Sequence, residues 1–216
     1  YLSSHSLCPI SVLFYHRVAD SYPNDWTISR GRFEQHIDFC LENFDVIDLA
    51  EVQRRVREQD SCSPAGSLTF DDGYSDNCEY AIPLLIEHDL PCTYFVTTQH
   101  VLNQSPFPHD IDNGQALAIN TKRQIREMSD AGIEFGCHTR THCDFSKMFD
   151  PNQIRSEIID AKEELEQLIG KAVRYFAFPF GMPAQLTQVA IEAIHEAGFD
   201  GFCSAYGGYN LIGADS

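Results

Sequence analysis

Residues 67–76 read SLTFDDGYSD: a short apolar run, Ser67 to Phe70, meets two adjacent carboxylates, Asp71 and Asp72, and then Gly73. The run has the length and composition of a strand, and Asp-Gly is a common turn signal. A polar turn would explain the pair by itself. Neighbouring carboxylates repel, however, and a strand end carrying both also suits a site in which a cation neutralises one while the other reacts. Side chains alternate across a regular strand, so both reach one place only if the strand ends there, and Gly73 permits that turn.

Outward from this stretch, strand-like and helix-period segments alternate. Strands are expected over 11–18, 45–49, 67–73, 92–98, 133–139, 174–181 and 199–205. Helices are expected over 32–44, 50–59, 79–89, 121–132, 151–170 and 184–198. Such alternation implies a parallel sheet with helices packed outside. The expected fold is α/β, a distorted or incomplete (β/α) barrel of about seven parallel strands in a single domain over 1–216, with an open doubly wound sheet as the alternative. No Gly-x-Gly-x-x-Gly follows a strand, so nothing points to a dinucleotide. A polar stretch of about twenty residues after 98, with Pro106, Pro108 and Gly114, reads as a substrate-facing or mobile loop.

In such sheets the working residues collect at the C-terminal strand ends. Polar groups do fall there: His16 towards the end of the first strand in FYHRV, Asp71 and Asp72 at the end of the third, and His138 ending another in GCHTRTHCD, with His142 four residues on. Two histidines and one carboxylate make a facial ligand set with positions left for water and substrate. Position 139 is Thr rather than Glu, so this is not the metalloprotease helix, and the base has to come from elsewhere. A structural Cys2His2 site from Cys137 and Cys143 is disfavoured, because adjacent Cys137 and His138 would struggle to chelate one ion. No role is assigned to His5, His36, His88, His100, His109 or His195, read as loop or helix-surface residues.

The chain has 216 residues with 32 acidic against 15 basic, a formal charge of −17. This argues against nucleic-acid binding, which rests on clustered Lys and Arg. No apolar run is long enough to span a bilayer, and no leader pattern opens the sequence. Eight cysteines without Cys-x-x-Cys read mainly as thiols. That leans towards a reducing, cytoplasmic compartment, while export with the leader removed stays open.

Taken together, the segments resemble the polysaccharide deacetylases of the NodB-homology type (carbohydrate esterase family 4). Thr69-Phe70-Asp71-Asp72-Gly73 matches the T-F-D-D-G motif, and His138 to His142 matches H-[ST]-x-x-H. Phe176-Ala177-Phe178-Pro179-Phe180-Gly181 is similar to the third motif, near R-P-P-Y-G, and Tyr15-His16-Arg17-Val18 looks like the opening strand of many members. The resemblance implies a distorted barrel, an N-acetylated glycan substrate, and hydrolysis that releases acetate. It implies Asp71 as general base, and Asp72, His138 and His142 as ligands of a divalent ion, zinc most often, with Co2+ or Ni2+ as alternatives. It also implies the Phe180 backbone N–H as oxyanion donor.

Two features depart from the family. Ala177 stands where an arginine orients the base, with Arg174 three residues earlier as a candidate substitute. The late Leu-x-His segment that carries the general acid is absent, so either the domain continues past residue 216 or another group, with His16 the candidate, protonates the amine. These departures leave a catalytically impaired saccharide-binding domain, or an amidase for a small non-sugar amide, as alternatives. Trp26, Tyr74 and Tyr206 are candidate sugar-stacking residues.

Overall fold

The computed structural model describes residues 8–60 and 63–210; His5 and Cys62 lie outside the described residues. Seven strands form one curled parallel sheet, β1 (Ile10–Tyr15), β4 (Asp45–Val46), β5 (Ala65–Phe70), β6 (Cys92–Val96), β7 (Glu134–Cys137), β8 (Tyr175–Ala177) and β9 (Gly201–Cys203). The order is β1-β5-β6-β7-β8-β9. One edge of β5 is paired along its length by β1, and β4 and β6 share the other, at Ala65–Gly66 and Leu68–Phe70 respectively. The two outer strands, β1 and β9, are not paired with each other. Asn210 closes part of that gap with reciprocal backbone hydrogen bonds to Ile10 of 3.1 and 2.7 Å. The architecture is therefore the incomplete barrel rather than an open doubly wound sheet.

The central strands are apolar without alternation. Every residue of β5 and β6 is buried, as expected for parallel strands covered on both faces. One face, with Leu68, Phe70, Tyr94, Val96, Phe135 and Phe176, packs on helices α1 (Arg30–Asn43), α4 (Ala81–Glu87), α7 (Lys122–Asp130), α9 (Ala161–Ile169) and α10 (Gln188–Glu196). Burying one such aromatic side chain contributes about 1.5–3 kcal/mol. The opposite face, with Phe95, Tyr175 and Ala177, meets Leu49 of α2 (Leu49–Glu58). Helix starts follow their local chemistry: Asp48 accepts from the Glu51 N–H, Thr187 from Ala190, and Thr121 with Gln124 forms a capping box.

Four expectations are refined. The segment 11–18 is broken at His16, and β2 (Arg17–Val18) pairs instead with β3 (Thr27–Ile28) in a small ribbon. Buried Arg17 holds that ribbon through Asp76, at 2.7 and 3.0 Å. The helix expected over 79–89 is divided at Tyr80 between α3 (Asp76–Glu79) and α4. The helix over 151–170 is continuous but contains a π turn, Ser156–Asp160, between α8 (Pro151–Arg155) and α9. The polar stretch after 98 is not structureless. It carries α5 (Thr98–Asn103) and α6 (Pro108–Asp112), pinned by fully buried Phe107.

Candidate metal centre

Because the strands run parallel, β1, β5, β7 and β8 all end on one rim, and His16, Asp71, His138 and Phe178 follow directly from those ends. The chain then turns sharply. Asp72, Thr139, His142 and Phe180 all have left-handed backbones, with φ of 75°, 63°, 59° and 63°. Each such non-glycine residue costs about 1–3 kcal/mol, and strain of this kind concentrates at functional sites. Here it is held by surrounding bonds. The Asp72 carbonyl accepts from Thr97 N–H at 3.2 Å, and the Thr139 and Arg140 carbonyls accept from Thr98 and Gln99 N–H at 3.2 and 2.9 Å.

The turns bring three ligand atoms together. Asp72, His138 and His142 each present one donor atom within 4.8 Å of the others. His142 Nε2 is 3.2 Å and His138 Nε2 3.5 Å from Asp72 Oδ1. Ligands about 2 Å from a shared ion stand roughly 3–4 Å apart. Among the described residues Asp72 Oδ1 is buried and makes no hydrogen bond, an expensive state for a carboxylate oxygen unless a cation completes it. The donor set fits a divalent ion.

His138 is oriented for that task. Its Nδ1 lies 2.9 Å from the Ala177 carbonyl, which can only accept, so Nδ1 carries the hydrogen and Nε2 is left with a lone pair. Burial, reinforced by His142, lowers the His138 pKa to about 3, which keeps the ring neutral. Burial pushes the Asp72 carboxyl up, but His142, His16 and His138 outweigh it and hold it below the usual carboxylate range.

Glu157, placed by the π turn, supports the histidine loop: Oε2 accepts from Arg140 and Thr141 N–H at 3.0 and 2.9 Å, and Oε1 from the Thr141 hydroxyl at 2.9 Å. Arg140 adds a bond of 2.7 Å to Glu164. Nothing in the motif spacing marks Glu157, because its role depends on helix phase 17 residues downstream of Arg140.

Asp71 stands next to this set, not within it. It lines a small cleft with Thr69, Ala177, Phe178 and Cys203; its backbone bonds Tyr15 and Gly73, while its carboxylate makes no hydrogen bond among the described residues. Burial, then the neighbouring Asp72, raises its pKa well above the ordinary value. Arg174 does not replace the missing arginine: it bonds Glu134 at 2.9 Å at the far end of β8. His16 is beside the triad, its pKa lowered by burial against the pull of Asp72. The Phe180 N–H has no acceptor among the described residues, and its ring packs edge-on to His142 at 5.2 Å.

Of the candidate stacking residues, Trp26 and Tyr206 are exposed and Tyr74 is fully buried. Tyr74 is excluded from that role; its hydroxyl donates to Asp110 at 2.8 Å. Of the histidines expected on loops or helix surfaces, His100 departs from that expectation, while His109 is exposed on α6 as expected and also faces the site. His100 is buried, its Nδ1 2.7 Å from the Ser105 carbonyl, and His109 lies 6.3 Å from the His142 ring. Cys40, Cys78, Cys92, Cys137, Cys143 and Cys203 are outside any disulfide. No helix among the described residues is long and apolar enough to cross a membrane.

A curled parallel half-barrel with an Asp-His-His set at the strand ends defines a class of metal-ready α/β domains. Comparison with known proteins narrows it: the model of the polysaccharide deacetylase family matches residues 59–208, and the chain belongs to that family. YxkH of Bacillus subtilis is 23% identical over 194 residues, 89% of this chain and 64% of that protein. A chitooligosaccharide deacetylase of a Bradyrhizobium strain is 29% identical over 120 residues, 55% of this chain and 47% of that protein. The chain thus spans less than two thirds of the length of either. The structure of IcaB from Ammonifex degensii superposes with a TM-score of 0.79 at 22% identity, covering 96% of this chain and 88% of that one. That likeness establishes the shared fold.

Proposed function

We propose that the chain is a metal-dependent hydrolase that removes N-acetyl groups from a polysaccharide or its glycan precursor, consuming water and releasing acetate and a sugar amine. The observation that carries this reading is the convergence of Asp72 Oδ1, His138 Nε2 and His142 Nε2, with the Asp72 oxygen otherwise unsatisfied. Two imidazoles and one carboxylate suit zinc, with Co2+ and Ni2+ as substitutes. When bound, the ion supplies Lewis acidity at neutral pH.

The chain's own groups would do the rest. Asp71 takes the proton of the attacking water. The Phe180 N–H, which has no acceptor among the described residues, donates to the oxygen of the amide carbonyl as negative charge develops there. His16 passes a proton to the departing amine and is replenished with the one that Asp71 took from the water, so both groups return to their starting states. The resemblance to a chitooligosaccharide deacetylase favours a sugar amide over a small one. Ala177, and the unbonded Asp71 carboxylate beside it, favour a second reading, an impaired saccharide-binding domain.

The test is acetate release from N-acetylglucosamine oligomers by purified protein with Zn2+ or Co2+, beside Asp71→Asn and His138→Ala. Metal-dependent release abolished in both variants is the expected result. One equivalent of bound metal with no release from any oligomer would reject the hydrolase and leave the binding domain.

A further inference from the structure

A buried carboxylate that the assigned chemistry does not use joins two exposed residues at the mouth of the site. Asp110 is 1% exposed. Its Oδ2 receives the Tyr74 hydroxyl at 2.8 Å, and its Oδ1 receives the Asn24 side-chain amide at 3.2 Å. A carboxylate is costly to bury, and this one is satisfied by groups leading in two directions.

One direction ends at Trp26. The Asn24 side-chain oxygen accepts from the Trp26 N–H at 3.1 Å and from the Thr27 hydroxyl at 2.6 Å. Buried Arg17 anchors the same turn through the Tyr22 carbonyl at 2.7 Å. The Trp26 indole, 56% exposed, lies over His16 with ring centroids 4.9 Å apart and planes at 31°.

The other direction ends at His109. The Tyr74 hydroxyl has one hydrogen and gives it to Asp110. The 3.1 Å contact between that hydroxyl and His109 Nε2 is therefore donated by the histidine. That contact, together with Asp110 Oδ2 at 3.7 Å from Nε2, places a hydrogen on Nε2 and leaves Nδ1 as the ring nitrogen open to a ligand, with no partner among the described residues. The ring is stacked on Phe107 at 5.3 Å and 15°, and His109 is 42% exposed at its side chain.

We propose that Trp26 and His109 form a saccharide subsite beside the metal centre: the indole face receives the C–H face of a pyranose ring, His109 Nδ1 accepts from a sugar hydroxyl, and Asp110 is the positioning residue for both. The assignment rests on the glycan reading above and deepens it. A rigid indole offers apolar area at low entropic cost, and a preformed acceptor needs no reorganisation on binding. A small acyclic amide would engage neither group, so the subsite selects glycan.

Trp26 is the only tryptophan of the chain, so tryptophan emission reports on the subsite directly. The zinc-loaded protein is titrated with N-acetylglucosamine oligomers while acetate is followed in the same samples. A saturable emission change is expected. KM should rise about tenfold in Trp26→Ala and in His109→Phe, the loss of one or two good contacts, with kcat falling much less. Trp26→Phe and His109→Gln, which keep a ring face and an acceptor, should recover most of that loss. Asp110→Asn should raise KM about fivefold and shift the emission of the free protein, with bound zinc unchanged.

Acetate release with flat emission, and with KM unmoved in both Trp26→Ala and His109→Phe, would overturn the subsite and leave the hydrolase standing. Saturable emission abolished by His109→Phe, but without acetate release, would support the subsite and reject the hydrolase. Neither signal with any oligomer would overturn both.

Discussion

Removing one ligand by His142→Ala tests the metal centre without any substrate. The side chain is 16% exposed and its ring packs edge-on to Phe107 and Phe180 at 5.4 and 5.2 Å. Truncation should therefore cost only about 1 kcal/mol of metal-free stability. A ligand that binds only the folded chain stabilises it by RT ln(1 + [L]/Kd), about 2.7 kcal/mol at a hundredfold excess over Kd. In a domain of this size 1 kcal/mol moves Tm by about 2–4 °C, so saturating Zn2+ should raise the wild-type Tm by about 5–11 °C. With two ligands left, and Asp72 Oδ1 again unsatisfied, the rise in His142→Ala should fall below about 2 °C. Differential scanning calorimetry after chelation, with and without Zn2+, measures both, and elemental analysis should give one equivalent in the wild type and none in the variant. A full rise in His142→Ala, or no rise in the wild type at saturating zinc, would refute the assignment of these three residues.

Glu157→Ala strips the acceptor from the Arg140 and Thr141 amides, so the histidine turn loosens; zinc affinity should drop about tenfold in competition with a chromophoric chelator, with Glu157→Gln intermediate. Gly136→Ala would set a methyl 2.3 Å from the Phe95 ring and 3.0 Å from the Tyr175 carbonyl, which overpacks the inner face; urea unfolding should show a loss of about 1–3 kcal/mol with an unchanged m value. Burial pushes the Asp144 carboxyl up, but bonds from Ser146, Gln185 and Lys147 outweigh it and hold it below the ordinary range. A depressed carboxyl contributes stability that is present above its unfolded value, about 3.9, and is lost as pH falls towards the folded one. Asp144→Asn should therefore be less stable than wild type at pH 7, and the difference should shrink on acidification below about pH 4; equal differences at pH 7 and pH 3 would reject that account.

Local chemistry was enough for much of this molecule. Apolar runs of strand length that alternate with helix-period segments point to a parallel sheet, in which helices cover strands such as 92–96 on both faces. A strand that ends in Asp-Asp-Gly, and two histidines four residues apart after another strand, specify where a cation would sit. The parallel direction alone sends those ends to one rim. These inferences rest on periodicity, turn chemistry and ligand type, which are properties of neighbouring residues.

What needed the tertiary structure depends on contacts between residues distant in the chain. The π turn that aims Glu157 at the histidine loop is a matter of helix phase, and no local residue type announces it. Tyr74 has the composition of a stacking residue but is buried, since the turn after Asp72 carries it inward to Asp110. His109, read as a surface histidine, stands beside His142 because Phe107 buries itself and draws α6 onto the site. Arg174 is three residues from Ala177, yet the pairing of Glu134 with Arg174 keeps it at the opposite end of the sheet from Asp71. In each case the deciding energy is the burial of an apolar or charged group against a partner from another segment, and that partner is chosen only when the chain has folded.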